Sequence, residues 1–189
     1  MSIILWTLLF NTNLLGNFWI RLPVFVSILL SYSIYIHRDL LRKLKPRPPD
    51  IILGVFSGLI LHLLFQVGYN LLSSFVSGGA SRVYELAYGA PLYIIFLVLI
   101  YTSVGEEVFW RGFIQDVLEI RLGRVIGFIS ATLVYSMIHL PTLNIPLVLA
   151  ALIAGALWGF LYLWRRTLLT PIISHIIWTE LVFVLAPLG

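Results

Sequence analysis

Two adjacent acids followed by a basic residue stand within one long apolar run of the sequence. The stretch GEEVFWRGF contains Glu106, Glu107 and Arg111. Glu107 precedes Arg111 by four residues, which places both on one face of a helix for a charge-assisted pair. Glu106 points to a different face and lacks that partner. We therefore interpret Glu107 as the carboxylate held in place by Arg111, and Glu106 as the reactive carboxylate, suited to general-base catalysis.

Two histidines lie in separate apolar runs further along the chain. His139 stands in VYSMIHLP and His175 in TPIISHIIWTE. A single histidine of this kind is more often a packing residue than a ligand. Together with an acidic pair, however, two histidines form a set that activates water, with or without zinc. The sequence thus leaves two forms open: a metal-free site, or a divalent metal held by Glu106, His139 and His175.

Thr179 follows His175 by four residues and shares its helical face. Its hydroxyl can donate to a developing oxyanion, or it can bond the backbone carbonyl one turn back. The sequence has no cysteine, no serine in a nucleophile-elbow context and no phosphate-binding loop. Hydrolysis by activated water is the chemistry that this set of residues favours.

The composition indicates which solvent surrounds these residues. Apolar residues make up 60% of the chain and charged residues only 11%, against roughly 25% charged in a soluble domain. Lipid must therefore be the solvent, and 189 residues leave no room for a soluble domain beside the membrane helices. We predict an all-α polytopic bundle over residues 1–189, a single integral membrane domain with its active site between helices.

Apolar periodicity predicts about six transmembrane helices in this bundle. They are expected near residues 18–37, 50–77, 91–120, 123–139, 145–164 and 170–187. The third is too long for one perpendicular span, so it is expected to be tilted, or broken near residues 103–105.

Basic residues give the expected orientation. Nine of the twelve Lys and Arg residues fall in three groups, at 38–47, 121–124 and 165–166, which six spans would bring to one side. The positive-inside rule makes that side cytoplasmic. These residues are topology signals and not a nucleic-acid patch. We expect a multi-pass protein of the bacterial inner membrane, in contact with the lipid bilayer and with no nucleic-acid partner.

Depth in the membrane provides a check on the predicted site. Glu106 and His139 each lie fifteen residues from the basic residue nearest their helix end, about 22 Å along a helix. His175 lies nine residues beyond Arg166, or about 14 Å. For the three to meet, residues 167–170 must be extended or a neighbouring helix must be tilted.

Three short motifs carry a family resemblance. EEVFWR matches an EExxxR signature, YSMIH resembles an aromatic-xxx-His motif, and SHIIWT resembles a closing HxxxN motif. They occur in this order on hydrophobic helices, within a motif-bearing core at about 91–187. The chain resembles CPBP-family intramembrane endopeptidases, which include the CAAX prenyl proteases and bacterial relatives linked to bacteriocin processing, immunity and protein sorting.

The resemblance implies a peptidase in which Glu106 and His139 activate water. Glu107 with Arg111 would support the site, while His175 and the residue at 179 would bind the oxyanion or the histidines would hold a metal. The family usually has Asn or Asp at the position of Thr179. The implied substrate is a membrane-bound protein or peptide, with or without a lipid anchor, cleaved near its C-terminus or in a membrane segment.

Two other function classes remain open from the sequence. A non-catalytic immunity or assembly partner could keep this scaffold, and it would retain its function after Glu106→Gln. A proton-coupled transporter could use Glu106 and His139 as a relay, but such proteins are commonly built from two repeats, and no internal repeat is visible here.

Overall fold

The protein is a helical membrane bundle, as the composition predicts. The computed structural model describes residues 2–12 and 16–189; it is 88% helical and contains no strand in those two ranges. Large apolar side chains cover the outside of the bundle, and Ile60, Leu63 and Phe96 are examples with 62%, 62% and 39% exposure. Such a continuous apolar exterior is stable in lipid and not in water.

The described residues form nine α-helices, joined by short turns and by 3₁₀ and π segments. The helices are α1 Ser2–Asn11, α2 Phe18–Ile36, α3 Pro48–Leu71, α4 Ser73–Tyr84, α5 Leu92–Glu107, α6 Asp116–Leu122, α7 Arg124–Met137, α8 Ile145–Arg165 and α9 Leu169–Glu180. The 3₁₀ segments are Arg38–Leu44, Glu85–Gly89 and Leu140–Thr142, and the π segments are Val108–Gln115 and Leu181–Leu185.

Five stretches are long and apolar enough to cross a membrane, and they correspond to the first five predicted helices. They are Phe18–Ile36, Pro48–Leu71, Leu92–Leu122, Arg124–Thr142 and Ile145–Arg165. The sixth predicted helix is present as the shorter apolar helix Leu169–Leu185. The end of the predicted helix at 50–77 is wrong, because Leu72 leaves the helical conformation (φ −117°, ψ 24°) and a separate helix, α4, begins at Ser73. Helix α1 was not predicted.

The long third span is continuous and is not broken at residues 103–105. Helix α5 runs through that stretch, where Gly105 packs so closely on Val26 of α2 that no side chain would fit. The irregularity comes after the acidic pair, where Val108–Gln115 forms a π segment that leads into α6. Such wide turns within α-helices are frequent at functional sites.

Close contact with α3 fixes the position of α9. A Cβ atom on Gly54 would lie 2.8 Å from Cβ of Ile173, and one on Gly58 would lie 2.8 Å from the carbonyl oxygen of Ser174. The two helices therefore approach each other at glycines, as is common between membrane helices. This contact sets the depth of His175 on α9.

A polar network gathers the three basic segments at one end of the bundle. Lys43 forms an ion pair with Asp116 and donates to the Tyr162 hydroxyl at 2.8 Å. The carbonyl of Lys43 accepts from the amide of Leu168 at 3.0 Å. Arg165 pairs with Asp50 at 2.7 Å. Grouping of the basic segments at one end agrees with the predicted topology, and the cytoplasmic location of that end remains a prediction.

Candidate active site

Glu107 joins two helices at the centre of the site. It is fully buried, and its Oε1 atom accepts hydrogen bonds from Nη1 of Arg111 at 3.0 Å and from Nδ1 of His175 at 2.9 Å. Arg111 also donates to the carbonyl of Gly155 on α8 at 3.2 Å. The pair predicted from the four-residue spacing is present. Its additional bond to His175 ties α5 to α9.

The ring of His175 is held on two sides. Trp158 stacks on it with ring centroids 3.8 Å apart and an interplanar angle of 17°. The indole N–H of Trp158 donates in turn to Ser174 at 3.2 Å. Nδ1 of His175 must carry a proton to donate to Glu107, so Nε2 is the nitrogen left for a ligand. Residues 166–168 are not helical, so α9 begins as a separate helix at Leu169.

Tyr135 connects Glu106 with His139. Its hydroxyl donates to Oε2 of Glu106 at 3.2 Å, and its carbonyl oxygen lies 3.0 Å from Nδ1 of His139. The ring of Tyr135 also meets the His139 ring edge-on, with centroids 5.5 Å apart. The guanidinium of Arg111 lies over the same ring, 4.6 Å from its centroid. One side chain thus contacts three of the predicted site residues.

His139 has hydrogen-bond partners at both ring nitrogens. Because Nδ1 donates to a carbonyl, Nε2 carries the lone pair, and it accepts from the indole N–H of Trp6 at 3.3 Å. Trp6 belongs to α1, which packs against α2 and the segment Leu140–Thr142. The first helix of the chain therefore covers the histidine that the motifs single out.

Thr179 bonds its own helix. Its hydroxyl lies 2.9 Å from the carbonyl of His175 and 3.1 Å from that of Ile176, and Oγ of Ser103 is 3.3 Å away. The arrangement is the back-bonded one of the two that the sequence left open. To donate to an oxyanion, the hydroxyl would have to rotate away from these carbonyls.

A cavity of about 420 Å³ brings four of the predicted residues together. Glu106, His139, His175 and Thr179 all line it, whereas Glu107 and Arg111 lie behind its wall. The remaining lining is almost entirely apolar and comes from α1 to α5, α7 to α9 and the π segment Leu181–Leu185. These four polar residues therefore line a mostly apolar cavity between helices.

The donor atoms do not fit the zinc site that the sequence left open at Glu106, His139 and His175. Within residues 2–12 and 16–189, no three His, Asp or Glu side chains lie close enough together to hold a metal ion. His139 has both nitrogens in hydrogen bonds, and Nδ1 of His175 faces Glu107.

Several residues that contact the site were not predicted from the sequence. Tyr135 stands in the quoted YSMIH motif, four residues before His139, and this spacing signals a shared helical face. Trp6 and Trp158 lie far from the motifs in sequence and carry no local signal that links them to the histidines. Ser103 precedes the acidic pair by one helical turn, which places it on the Glu106 and Glu107 side of α5.

The fold and the site together define an integral membrane protein with an internal cavity and a buried cluster of acids and histidines. Residues 88–180 match the family described as type II CAAX prenyl endopeptidase Rce1-like. Residues 88–180 therefore carry a domain of this CAAX-protease-like family, which is a family of peptidases. No curated protein and no solved structure gives a significant match. The resemblance inferred from the three motifs is confirmed.

Proposed function

We propose that this chain is an intramembrane endopeptidase that hydrolyses a peptide bond of a membrane-bound protein with water activated by Glu106 and His139. The observation that carries the proposal is that residues from all three motifs line one cavity. Glu106, His139 and His175 come from three different helical regions, yet all three line this cavity. The Rce1-like family supports peptidase chemistry at this place.

The proposed reaction begins with a water molecule between Glu106 and His139. Glu106 takes one proton from the water, while Nε2 of His139 accepts a hydrogen bond from it and orients it. The oxygen then bonds to the scissile carbonyl carbon, and the carbonyl oxygen becomes an oxyanion. When the carbon–nitrogen bond breaks, the proton held by Glu106 passes to the leaving amine.

His175 and Glu107 have a supporting role in this scheme. The Nδ1–H of His175 donates to Glu107, so the ring is fixed with Nε2 as its free nitrogen. A second proton on Nε2 would make that atom a donor to the oxyanion, and the carboxylate of Glu107 would balance the resulting charge. Arg111 holds the carboxylate in place. In this scheme the Thr179 hydroxyl stays on its own helix and becomes a second oxyanion donor only if it rotates away from the carbonyls of His175 and Ile176.

The basic end of the bundle is proposed to face the cytoplasm, with the protein in a bacterial cell membrane. This proposal rests on the positive-inside rule and on the grouping of the basic segments at one end. The substrate is proposed to be a membrane-bound protein or peptide. A role in C-terminal processing or in protein sorting belongs to the same proposal.

The test is cleavage of candidate membrane-tail substrates by the purified protein in proteoliposomes. Wild type is compared with Glu106→Gln and His139→Ala, each with and without a zinc chelator. We expect both substitutions to lower the cleavage rate by about 10²-fold or more, which is typical for loss of a general base or its partner. Cleavage at the wild-type rate by both variants would overturn the assignment. Chelator sensitivity would contradict the metal-free scheme.

A further inference from the structure

Ser103 supplies a buried hydroxyl to the cavity wall. It lies on α5, one helical turn before the acidic pair Glu106 and Glu107, and it is 1% exposed. Together with His175 and Thr179 of α9 it lines the cavity. The proposed reaction has one committed oxyanion donor, Nε2 of His175, whereas the oxyanion sites of acyl-transfer enzymes commonly contain more than one.

The proton of the neighbouring Thr179 is committed to its own helix. The Thr179 hydroxyl donates to the carbonyl of His175 at 2.9 Å and to that of Ile176 at 3.1 Å. Because a hydroxyl has one proton, Ser103 is the donor in the contact between the two hydroxyls, and Thr179 is the acceptor. That contact is 3.3 Å long, beyond the roughly 2.5–3.0 Å that is usual for O–H···O hydrogen bonds. The Ser103 proton is therefore the more loosely held of the two.

Other buried hydroxyls of the bundle bond the preceding turn of their own helix. Thr102, the neighbour of Ser103 on α5, donates to carbonyls of that turn at 2.8 and 3.3 Å. Ser33 of α2 does the same at 2.8 Å. Ser103 makes no bond of this kind in the part of the chain that the structure describes, where its one partner is Thr179. Its hydroxyl can therefore turn to a ligand at the cost of one long hydrogen bond.

Two contacts between α5 and α9 place this hydroxyl near the His175 ring. Glu107 accepts from Nδ1 of His175, and Ser103, four residues earlier on α5, meets Thr179, four residues later on α9. Four residues of helix rise by about 6 Å, so the two contacts are about one helical turn apart. Since a hydrogen bond spans about 3 Å, two donors at this separation can both reach one oxygen atom that lies between them.

We infer that Ser103 is a catalytic residue of the proposed peptidase, whose hydroxyl donates the second hydrogen bond to the oxyanion beside Nε2 of His175. The inference rests on the proposed function and adds to it a residue that lies outside all three motifs. When the scissile carbonyl becomes an oxyanion, the Ser103 O–H turns to it from Thr179. It turns back when the carbon–nitrogen bond breaks. Its proton is never transferred, so the proton still passes from water through Glu106 to the leaving amine.

The experiment compares Ser103→Ala with Ser33→Ala in proteoliposomes, on the membrane-tail substrate that wild type cleaves fastest. Both substitutions remove the hydroxyl of a buried helical serine, but Ser33 is not part of the described cavity wall. We expect Ser103→Ala to lower kcat by about 10²-fold with KM within about twofold of wild type, and Ser33→Ala to leave both constants within about twofold. A fall in kcat of less than about tenfold in Ser103→Ala would overturn the inference.

Glu106→Gln in the same series separates failure of this inference from failure of the proposed function. If Glu106→Gln is inactive and Ser103→Ala is not, with a kcat above about a tenth of the wild-type value, the inference is wrong and the proposed chemistry stands. If wild type cleaves no substrate, or Glu106→Gln cleaves at the wild-type rate, the proposed function is wrong and the inference falls with it.

Binding of a tetrahedral analogue distinguishes an oxyanion donor from a structural serine. The analogue is the substrate peptide with a phosphinic acid group in place of the scissile amide, so that its anionic oxygen stands in for the oxyanion. Fluorescence anisotropy compares the analogue with the parent peptide in a Glu106→Gln background, which keeps the parent intact. We expect Ser103→Ala to raise Kd for the analogue by about tenfold and to leave Kd for the parent within about twofold. Equal weakening of both ligands, or of neither, would overturn the inference.

Ser103→Cys provides a second variant of similar size. A thiol is a weaker donor than a hydroxyl, so its kcat should lie between those of wild type and Ser103→Ala. Thermal unfolding midpoints show whether each variant folds, and the cysteine variant decides the question if Ser103→Ala does not. A folded Ser103→Cys protein with the wild-type kcat would contradict a role for the hydroxyl proton.

Discussion

The indole N–H of Trp6 donates a hydrogen bond to Nε2 of His139 at 3.3 Å. The opposite ring nitrogen of His139 is already engaged by the carbonyl of Tyr135 at 3.0 Å. A water molecule that is to be oriented by Nε2 must therefore displace the indole. Because Trp6 lies in α1, outside residues 88–180, this contact adds a feature to the site from beyond the family-matched segment.

Trp6→Phe should increase cleavage. The substitution keeps an aromatic ring against His139 but removes the donor that competes for Nε2, and a hydrogen bond of this kind is worth about 1 kcal/mol, or roughly fivefold in rate. The measurement is kcat on a membrane-segment substrate. Trp164→Phe, at an exposed tryptophan remote from the cavity lining, is the control. A lower kcat in a folded Trp6→Phe protein would show instead that the indole holds His139 in its productive orientation.

Tyr135→Phe should lower kcat by about tenfold with little change in KM. The phenyl ring would keep its edge contact with His139 and its position under Arg111, so only the hydrogen bond to Glu106 is lost. Hydrogen bonds to charged groups contribute about 1.5–3 kcal/mol. Steady-state kinetics in proteoliposomes separate the two constants. If KM rises and kcat does not change, the hydroxyl contacts substrate and does not position Glu106.

Arg111→Met should destabilise the protein by about 3 kcal/mol. The substitution leaves the buried carboxylate of Glu107 with His175 as its remaining partner, and removal of one member of a buried ion pair typically costs 3–5 kcal/mol. Unfolding in detergent micelles gives the free energy of unfolding. Arg42→Met is the control, because the Arg42–Asp39 pair is exposed on both sides and should contribute less than about 1 kcal/mol.

A double variant tests the electrostatic reason for that loss. Glu107→Gln combined with Arg111→Met removes the unbalanced charge, so the double variant should be more stable than Arg111→Met alone. If the second substitution adds a further loss of similar size, lost packing of the arginine and not charge explains the destabilisation.

Thr179 should respond differently to two substitutions. Thr179→Val removes a hydroxyl that bonds its own helix in this structure, so the expected fall in cleavage rate is less than about tenfold. Thr179→Asn supplies a longer side chain with two N–H donors, and it should match or exceed the wild-type rate. The rates are measured on one substrate at saturation. A loss of more than about 10²-fold in Thr179→Val would mean that the hydroxyl does rotate to the oxyanion in the reaction.

Local sequence patterns predicted the helices and the acid–arginine pair because both depend on spacing along one helix. The four-residue separation of Glu107 and Arg111 is enough to place their side chains together. The same holds for apolar runs, whose length indicates a membrane span without knowledge of its neighbours. The family-matched region coincides with these patterns, which is why the three motifs identify the family correctly.

Contacts between distant segments could not be predicted in this way. The bond from His175 to Glu107 depends on how closely α9 packs, and Gly54 and Gly58 of α3 set that distance. The contact of Trp6 with His139 joins residues 133 positions apart. The end of α3 before Leu72 also could not be predicted from apolar periodicity, because the residues on both sides of it are suitable for a helix.

The central role proposed for this site is that of Glu106, the carboxylate that activates water. Its most direct test is a matched pair of substitutions, Glu106→Gln and Glu180→Gln, each changing one buried acid to its amide. Glu106 lines the cavity, whereas Glu180 is 5% exposed and is not part of the described cavity wall. In single-turnover cleavage of a membrane-segment substrate, we expect Glu106→Gln to lose about 10²-fold or more and Glu180→Gln to stay within about twofold of wild type. Wild-type cleavage by Glu106→Gln would contradict the claim.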